Sequence, residues 1–155
     1  MLFIVPALLM GVIAGLRAMI APAAVSWAAF FGFLGLDESW LAFLGYRFTP
    51  WILTLLALIE LVTDQLPSTP SRKVPVQFAT RIIMGALAGG AIGAAGGSVI
   101  VGLAAGAVGA VIGTLGGAAV RARLAMSFGK DRPAALLEDA VAILGAALIV
   151  VLMQQ

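Results

Sequence analysis

The chain has 155 residues, 63% of them hydrophobic and 10% charged, with nine Lys and Arg against seven Asp and Glu. Ordinary soluble domains carry about a quarter of their residues as charges, so this composition excludes one. Cys and His are both absent, which excludes disulfides, thiolate zinc sites, iron–sulfur clusters and imidazole ligands; neither a cofactor nor a metal is expected. Nucleic acid is excluded as a partner because no basic stripe interleaved with aromatics is present.

A spanning helix takes about 20 apolar residues at 1.5 Å rise, so the chain has room for five or six. The apolar runs are continuous and rich in Ala, Gly and Leu, not the alternating segments of roughly ten residues that a β-barrel needs. The expected fold is all-α: a polytopic bundle of about six spans forming a single integral membrane domain over residues 1–155. The first span covers about 2–20, with Arg17 as its only charge. No charged region precedes it, unlike a signal peptide, so it reads as a retained span. Ala21-Pro22-Ala23 breaks or restarts the helix, and a short second span follows over 23–36. Residues 36–45 read as a short helix on the membrane surface, capped by Asp37, ended by Gly45, with Trp40, Phe43 and Leu44 on one face.

The third span covers 50–66, with proline in its first turn and Glu60 and Asp64 an i,i+4 pair on one face. Pro67-Ser68-Thr69-Pro70-Ser71-Arg72-Lys73-Val74-Pro75 is a polar loop. Its Ser68, Thr69, Ser71 and Arg72 read either as turn formers between prolines or as phosphate donors. The fourth span, 76–96, has Arg81 near its start. The fifth covers 98–120, and a second basic loop with Arg121, Arg123, Lys130 and Arg132 leads into the sixth, 133–153, with Glu138 and Asp139 in its first turns.

Six spans put both termini on one side and both basic loops on the other. Positive charge marks the cytoplasmic side, so both termini are expected outside the cytoplasm. With that orientation Arg17, Glu60, Asp64, Arg72, Arg81, Glu138 and Asp139 all fall at the cytoplasmic ends of the spans. A charge at the centre of a membrane helix costs roughly 2.5–3.5 kcal/mol, so these residues are the candidate substrate- or ion-binding group; the other reading is an ion-pair lock between helices. Carboxylates with water can also hold a divalent cation, but nothing in the spacing fixes one.

Glycines recur at intervals of four: Gly11 and Gly15; Gly85, Gly89, Gly93 and Gly97; Gly102 and Gly106; Gly109, Gly113 and Gly117. Such faces let backbones approach closely inside lipid. They predict glycine-zipper packing of spans four and five, or self-association into a homo-oligomer. Shifting the sequence by 74 residues aligns Leu9 to Leu36 with Ile83 to Ala110 at eight identities in 28 positions. That suggests a 3+3 inverted repeat of halves 1–66 and 76–153, an arrangement found in transporters.

Three strings carry a resemblance: Gly15-Leu16-Arg17-Ala18-Met19-Ile20-Ala21-Pro22-Ala23, then Glu60-Leu61-Val62-Thr63-Asp64-Gln65-Leu66-Pro67-Ser68-Thr69-Pro70-Ser71-Arg72, then Glu138-Asp139-Ala140-Val141-Ala142-Ile143. They resemble a family of small bacterial integral membrane proteins known as domain of unknown function 4126. The resemblance implies a compact polytopic protein of the bacterial cell membrane, with membrane lipids as its surroundings, and brings no substrate or site residue. Two functions stay open: a small transporter or channel-like protein with a polar site at the cytoplasmic helix ends, or a structural or lipid-binding membrane protein locked by its buried charges. An enzyme acting on a lipid phosphate would need a nucleophile or base beside the arginines without His or Cys.

Overall fold

The computed structural model describes residues 2–66 and 71–154. Among them it is all-helical, without strands: α1 (Ile4–Leu16), α2 (Ile20–Phe30), α3 (Thr49–Thr63), α4 (Pro75–Ala95), α5 (Val99–Phe128) and α6 (Asp131–Leu152). The helices α4, α5 and α6, at 21, 30 and 22 residues, are long and apolar enough to cross a membrane. The first three have 13, 11 and 15 residues, short of the ~20 that a perpendicular span takes.

Glycine decides how the bundle closes. A Cβ on Gly89 would fall within 3.0 Å of backbone at Gly102 and Gly106, one on Gly93 would meet Ser98 and Gly102, and one on Gly85 would meet Gly106 and Ala110. The order of these pairs makes α4 and α5 antiparallel, at backbone contact along the seam. Gly11 meets Gly106, and Gly15 meets Ala110 and Gly113, so α1 runs parallel to α5 in the same layer. These glycine contacts lie within one chain. The remaining core is mostly small, including Ala7, Ala14, Ala21, Ala88, Ala91, Ala142 and Ala146. Large apolar side chains such as Leu55, Leu58, Ile83, Ile100, Ile112 and Leu144 point outward. An exterior this apolar exceeds what a soluble monomer presents and suits a lipid surround.

Gly97 departs from the expected helical face. It follows α4 at φ +93°, and its N–H and that of Ser98 reach back to Ala94 and Gly93. That is a Schellman C-terminus, in which a left-handed residue ends a helix and satisfies its last carbonyls. The glycine face of α4 therefore stops at Gly93. Gly32 does the same for α2 at φ +76°, with Phe33 N–H bonded to Ala28 O at 2.8 Å.

Two other local expectations shift. Pro22 does not break the first helix pair; it lies in the first turn of α2, where its missing N–H costs nothing, and the chain turns earlier, at residues 17–19. The surface helix over 36–45 shrinks to a 3₁₀ turn at Ala42–Gly45. Its Leu41 and Leu44, with Leu36, sink into the core while Trp40 stays exposed, so the segment is a plug under α2 more than a raft on a surface.

The halves 1–66 and 76–153 do not match in helix length. Gly32 and Gly35, aligned by the 74-residue shift with Gly106 and Gly109, have no heavy atom within 4 Å of an added Cβ, whereas the latter two are packed against backbone.

Candidate functional site

The site grows out of the turn between α1 and α2. α2 runs antiparallel to α3, because Glu60 of α3 meets Ala18 and Met19 at the start of α2 while Thr54 meets Trp27 near its other end, and α1 ends where α3 ends, with Arg17 on Asp64. A tight helical hairpin leaves the last carbonyls of one helix and the first N–H groups of the next without partners, and such groups, once buried, need partners from the protein itself. Side chains take them instead. Arg81 Nη1 donates to Leu16 O at 2.6 Å and Gly15 O at 3.1 Å. The Glu60 carboxylate accepts from Ala18 N at 2.7 Å and Met19 N at 2.8 Å. A cation sits at the C-terminus of α1 and an anion at the N-terminus of α2, the signs that the helix dipoles favour.

Arg17 occupies the turn in extended backbone and has no exposed surface. Its Nε donates to Asp139 Oδ1 at 2.6 Å, and its Nη1 to Asp64 Oδ2 at 2.7 Å. Arg81 Nη2 reaches the same Asp64 oxygen at 3.2 Å and lies 3.7 Å from Glu60. Arg72 forks onto Glu138 at 2.5 and 2.7 Å, and Gln65 donates to Asp139 at 3.2 Å. Arg121 forks onto Asp131 at 2.9 and 2.5 Å and approaches Glu138 at 3.4 Å. All seven sequence-predicted candidates, Arg17, Glu60, Asp64, Arg72, Arg81, Glu138 and Asp139, thus meet in one network. Buried charge is tolerated because each guanidinium faces a carboxylate or carbonyl; unpaired, each would cost several kcal/mol. Gly117 makes room for it: a Cβ there would press on Leu16, Arg72 and Glu138.

The described residues do not seal the network. A cavity of about 840 Å³ opens above it, lined by Asp64, Arg72, Arg81, Arg121, Lys130, Asp131 and Arg132 together with Gln65, Ser71 and Ala118. Five of these side chains are cationic and two acidic, so its potential is positive. A second opening, between α3 and α4, is lined by Glu60, Asp64, Met19, Gln77 and Thr80. Asp64 borders both. Arg81, only 2% exposed, keeps one polar atom, Nε, without a hydrogen-bond partner among the described residues. No group of three carboxylates among the described residues is placed to hold a metal ion.

Sequence reasoning left out Arg121, Gln65 and the backbone groups of residues 15–19. The signal for Arg121 was present: Ala118, Ala119, Ala122 and Ala125 favour continuing the helix past residue 120, which puts Arg121 one turn after Gly117 on the face of the network. Ser68 and Thr69 lie outside the described residues; Ser71 lines the vestibule. Comparison of the chain with family models, curated proteins and solved structures finds no match, so the site is read from its geometry.

Proposed function

We propose that the chain is a small transporter or channel-like protein, with its site where Asp64 and Arg81 meet the floor of the basic vestibule. The observation that carries this reading is the double exposure of Asp64. It is held by Arg17 and Arg81 inside the bundle, yet forms the wall between the vestibule and the opening beside α3. A purely structural pair gains nothing from bordering two openings. One oxygen shared by two arginines also allows exchange: an entering anion takes over Arg81 while Asp64 keeps Arg17, and no charge is left bare in low dielectric. Intramembrane ionisable groups that line cavities in this way mark substrate paths.

The rest of the reading follows from charge. The hairpins of α1–α2 and α3 complete six passes, tilted or in thinned bilayer, with the vestibule at the end carrying Arg72, Lys73, Arg121, Arg123, Lys130 and Arg132. The positive-inside rule makes that end cytoplasmic and both termini non-cytoplasmic, in a bacterial cell membrane in keeping with the family resemblance. The second reading, an ion-pair lock in a structural or lipid-binding protein, is favoured by the complete burial of Arg17.

Flux separates the two. Protein reconstituted in liposomes is expected to pass a small anion, chloride or phosphate, and Asp64→Asn to lower that flux at least about tenfold; Arg17 keeps Asp139 and Arg81 keeps Glu60 in that variant, so it is expected to melt below wild type yet stay folded at the temperature of the assay. A wild type without flux of anion, cation or proton, or flux unchanged in folded Asp64→Asn protein, would overturn the transporter reading in favour of the lock.

A further inference from the structure

The vestibule has a lipid-facing neighbour. A groove of about 340 Å³, between α1, α5 and α6, is lined by Val12, Leu16, Ile112, Val120, Leu124 and Leu137, and its polar members are Arg121 and Glu138. Arg121 lines both the groove and the vestibule, so a basic cavity and an apolar one adjoin at that side chain. The size falls within the ~300–1,000 Å³ range of small-molecule sites. Its floor is Gly113, Gly116 and Gly117. Gly113 is spent on contact with α1, but a Cβ on Gly116 would meet nothing within 4 Å. No helix packing calls for glycine there, and the bare backbone leaves the groove open.

We propose that these adjoining cavities bind an anionic phospholipid, its phosphate in the vestibule and one acyl chain in the groove; the inference rests on the transporter reading's vestibule and names a lipid partner for it. The phosphate end is argued from charge. Lys130 and Arg132 line the vestibule without an ion pair among the described residues, and Arg81 holds a buried Nε still without a partner. Guanidinium groups in a fixed fork are suited to phosphate oxygens, and ammonium groups add charge without geometry. The acyl end follows from the groove's adjoining that charge at Arg121 and from its opening toward the surface on which Ile112, Leu137 and Val141 stand exposed. Chain and headgroup together select an amphiphile over a free anion.

The test uses the whole protein in a neutral detergent, titrated with short-chain phosphatidylglycerol, with phosphatidylcholine of the same chain length, and with glycerophosphoglycerol, which has the headgroup and no chains. Thermal shift and native mass spectrometry read binding. Phosphatidylglycerol is expected to bind at least about tenfold more tightly than either comparator. Lys130→Gln with Arg132→Gln should remove the advantage over phosphatidylcholine. Gly116→Leu, a side chain that the groove alone accommodates, should remove the advantage over glycerophosphoglycerol. Equal binding of the two phospholipids, or phosphatidylglycerol binding untouched by Gly116→Leu, overturns the proposal; binding of glycerophosphoglycerol or inorganic phosphate as strong as that of the lipid does so too, and leaves a free-anion site. Loss of the lipid preference alongside intact, Asp64-dependent anion flux defeats this inference and not the transporter reading. Lipid binding without any flux, of lipid or ion, defeats the transporter reading and not the site.

Discussion

Arg17 holds two carboxylates from different helices with no surface in contact with solvent. Removing one partner of a buried pair costs about 3–5 kcal/mol, because the other charge is left uncompensated. Arg17→Gln is therefore expected to lower the unfolding midpoint of the detergent-solubilised protein sharply, followed by circular dichroism. The Arg121–Asp131 pair has equally short contacts, but its Asp131 side chain is 60% exposed, and exposed pairs contribute about 0–1 kcal/mol. Asp131→Asn should leave the midpoint almost unchanged, and losses of equal size in the two variants would contradict a network centred on Arg17. At this scale the sequence was informative where cost is high. A lone Arg17 in an apolar run, or Glu60 and Asp64 a turn apart, announce themselves because isolated charges in such runs are expensive. Their partners were less visible. Glu60 binds the amides of Ala18 and Met19, and any residue supplies an amide, so no residue type betrays the contact.

The α1–α2 hairpin depends on two caps from other helices, Arg81 on the carbonyls and Glu60 on the amides. Loss of a capping side chain costs about 0.5–2 kcal/mol, so Glu60→Ala should destabilise by at least that much and raise amide hydrogen exchange at residues 18–21 before the rest of α2. Unchanged exchange there would mean that the turn holds without Glu60. The glycine seam makes a second contrast. A Cβ on Gly106 meets the backbone of Gly85 and Gly89, while one on Gly116 meets nothing. Gly106→Ala should cost on the order of 1–3 kcal/mol by overpacking, and Gly116→Ala should be neutral or stabilising by up to about 1 kcal/mol through helix propensity, both read from the unfolding midpoint. The interval of four also ran through Gly97, which lies past the end of α4. Counting intervals cannot register the left-handed turn that ends α4. The same limit explains the misplaced break near Pro22: proline is as much at home in a first turn as at a breakpoint.

Across the described residues, the buried ionisable side chains gather at one end of the bundle, and the glycine seam runs from there along α4 and α5. Hydropathy and length made the all-helical class legible. The sorting of charge was legible too, since helices of alternating direction carry Arg17, Asp64, Arg81 and Glu138 to the same end without any pairing being assumed. The depth of the first three helices was not, because an apolar run does not say where a tertiary turn will cut it; here the cut falls at Arg17, where side chains from α3 and α4 reach the turn. The proposed orientation predicts that a reporter fused at the C-terminus is active only outside the cytoplasm, and activity inside would reverse the topology.

The central claim, that water and substrate reach the buried charges through the vestibule, has a direct test because the chain contains no cysteine. Ala118 lines the vestibule beside Arg72, Arg81 and Asp64. In proteoliposomes, Ala118→Cys should react with a membrane-impermeant thiol reagent applied from the vestibule side, and labelling should reduce flux to the level of Asp64→Asn. A thiol that reacts only after unfolding, or one that is labelled while flux continues unchanged, would contradict it.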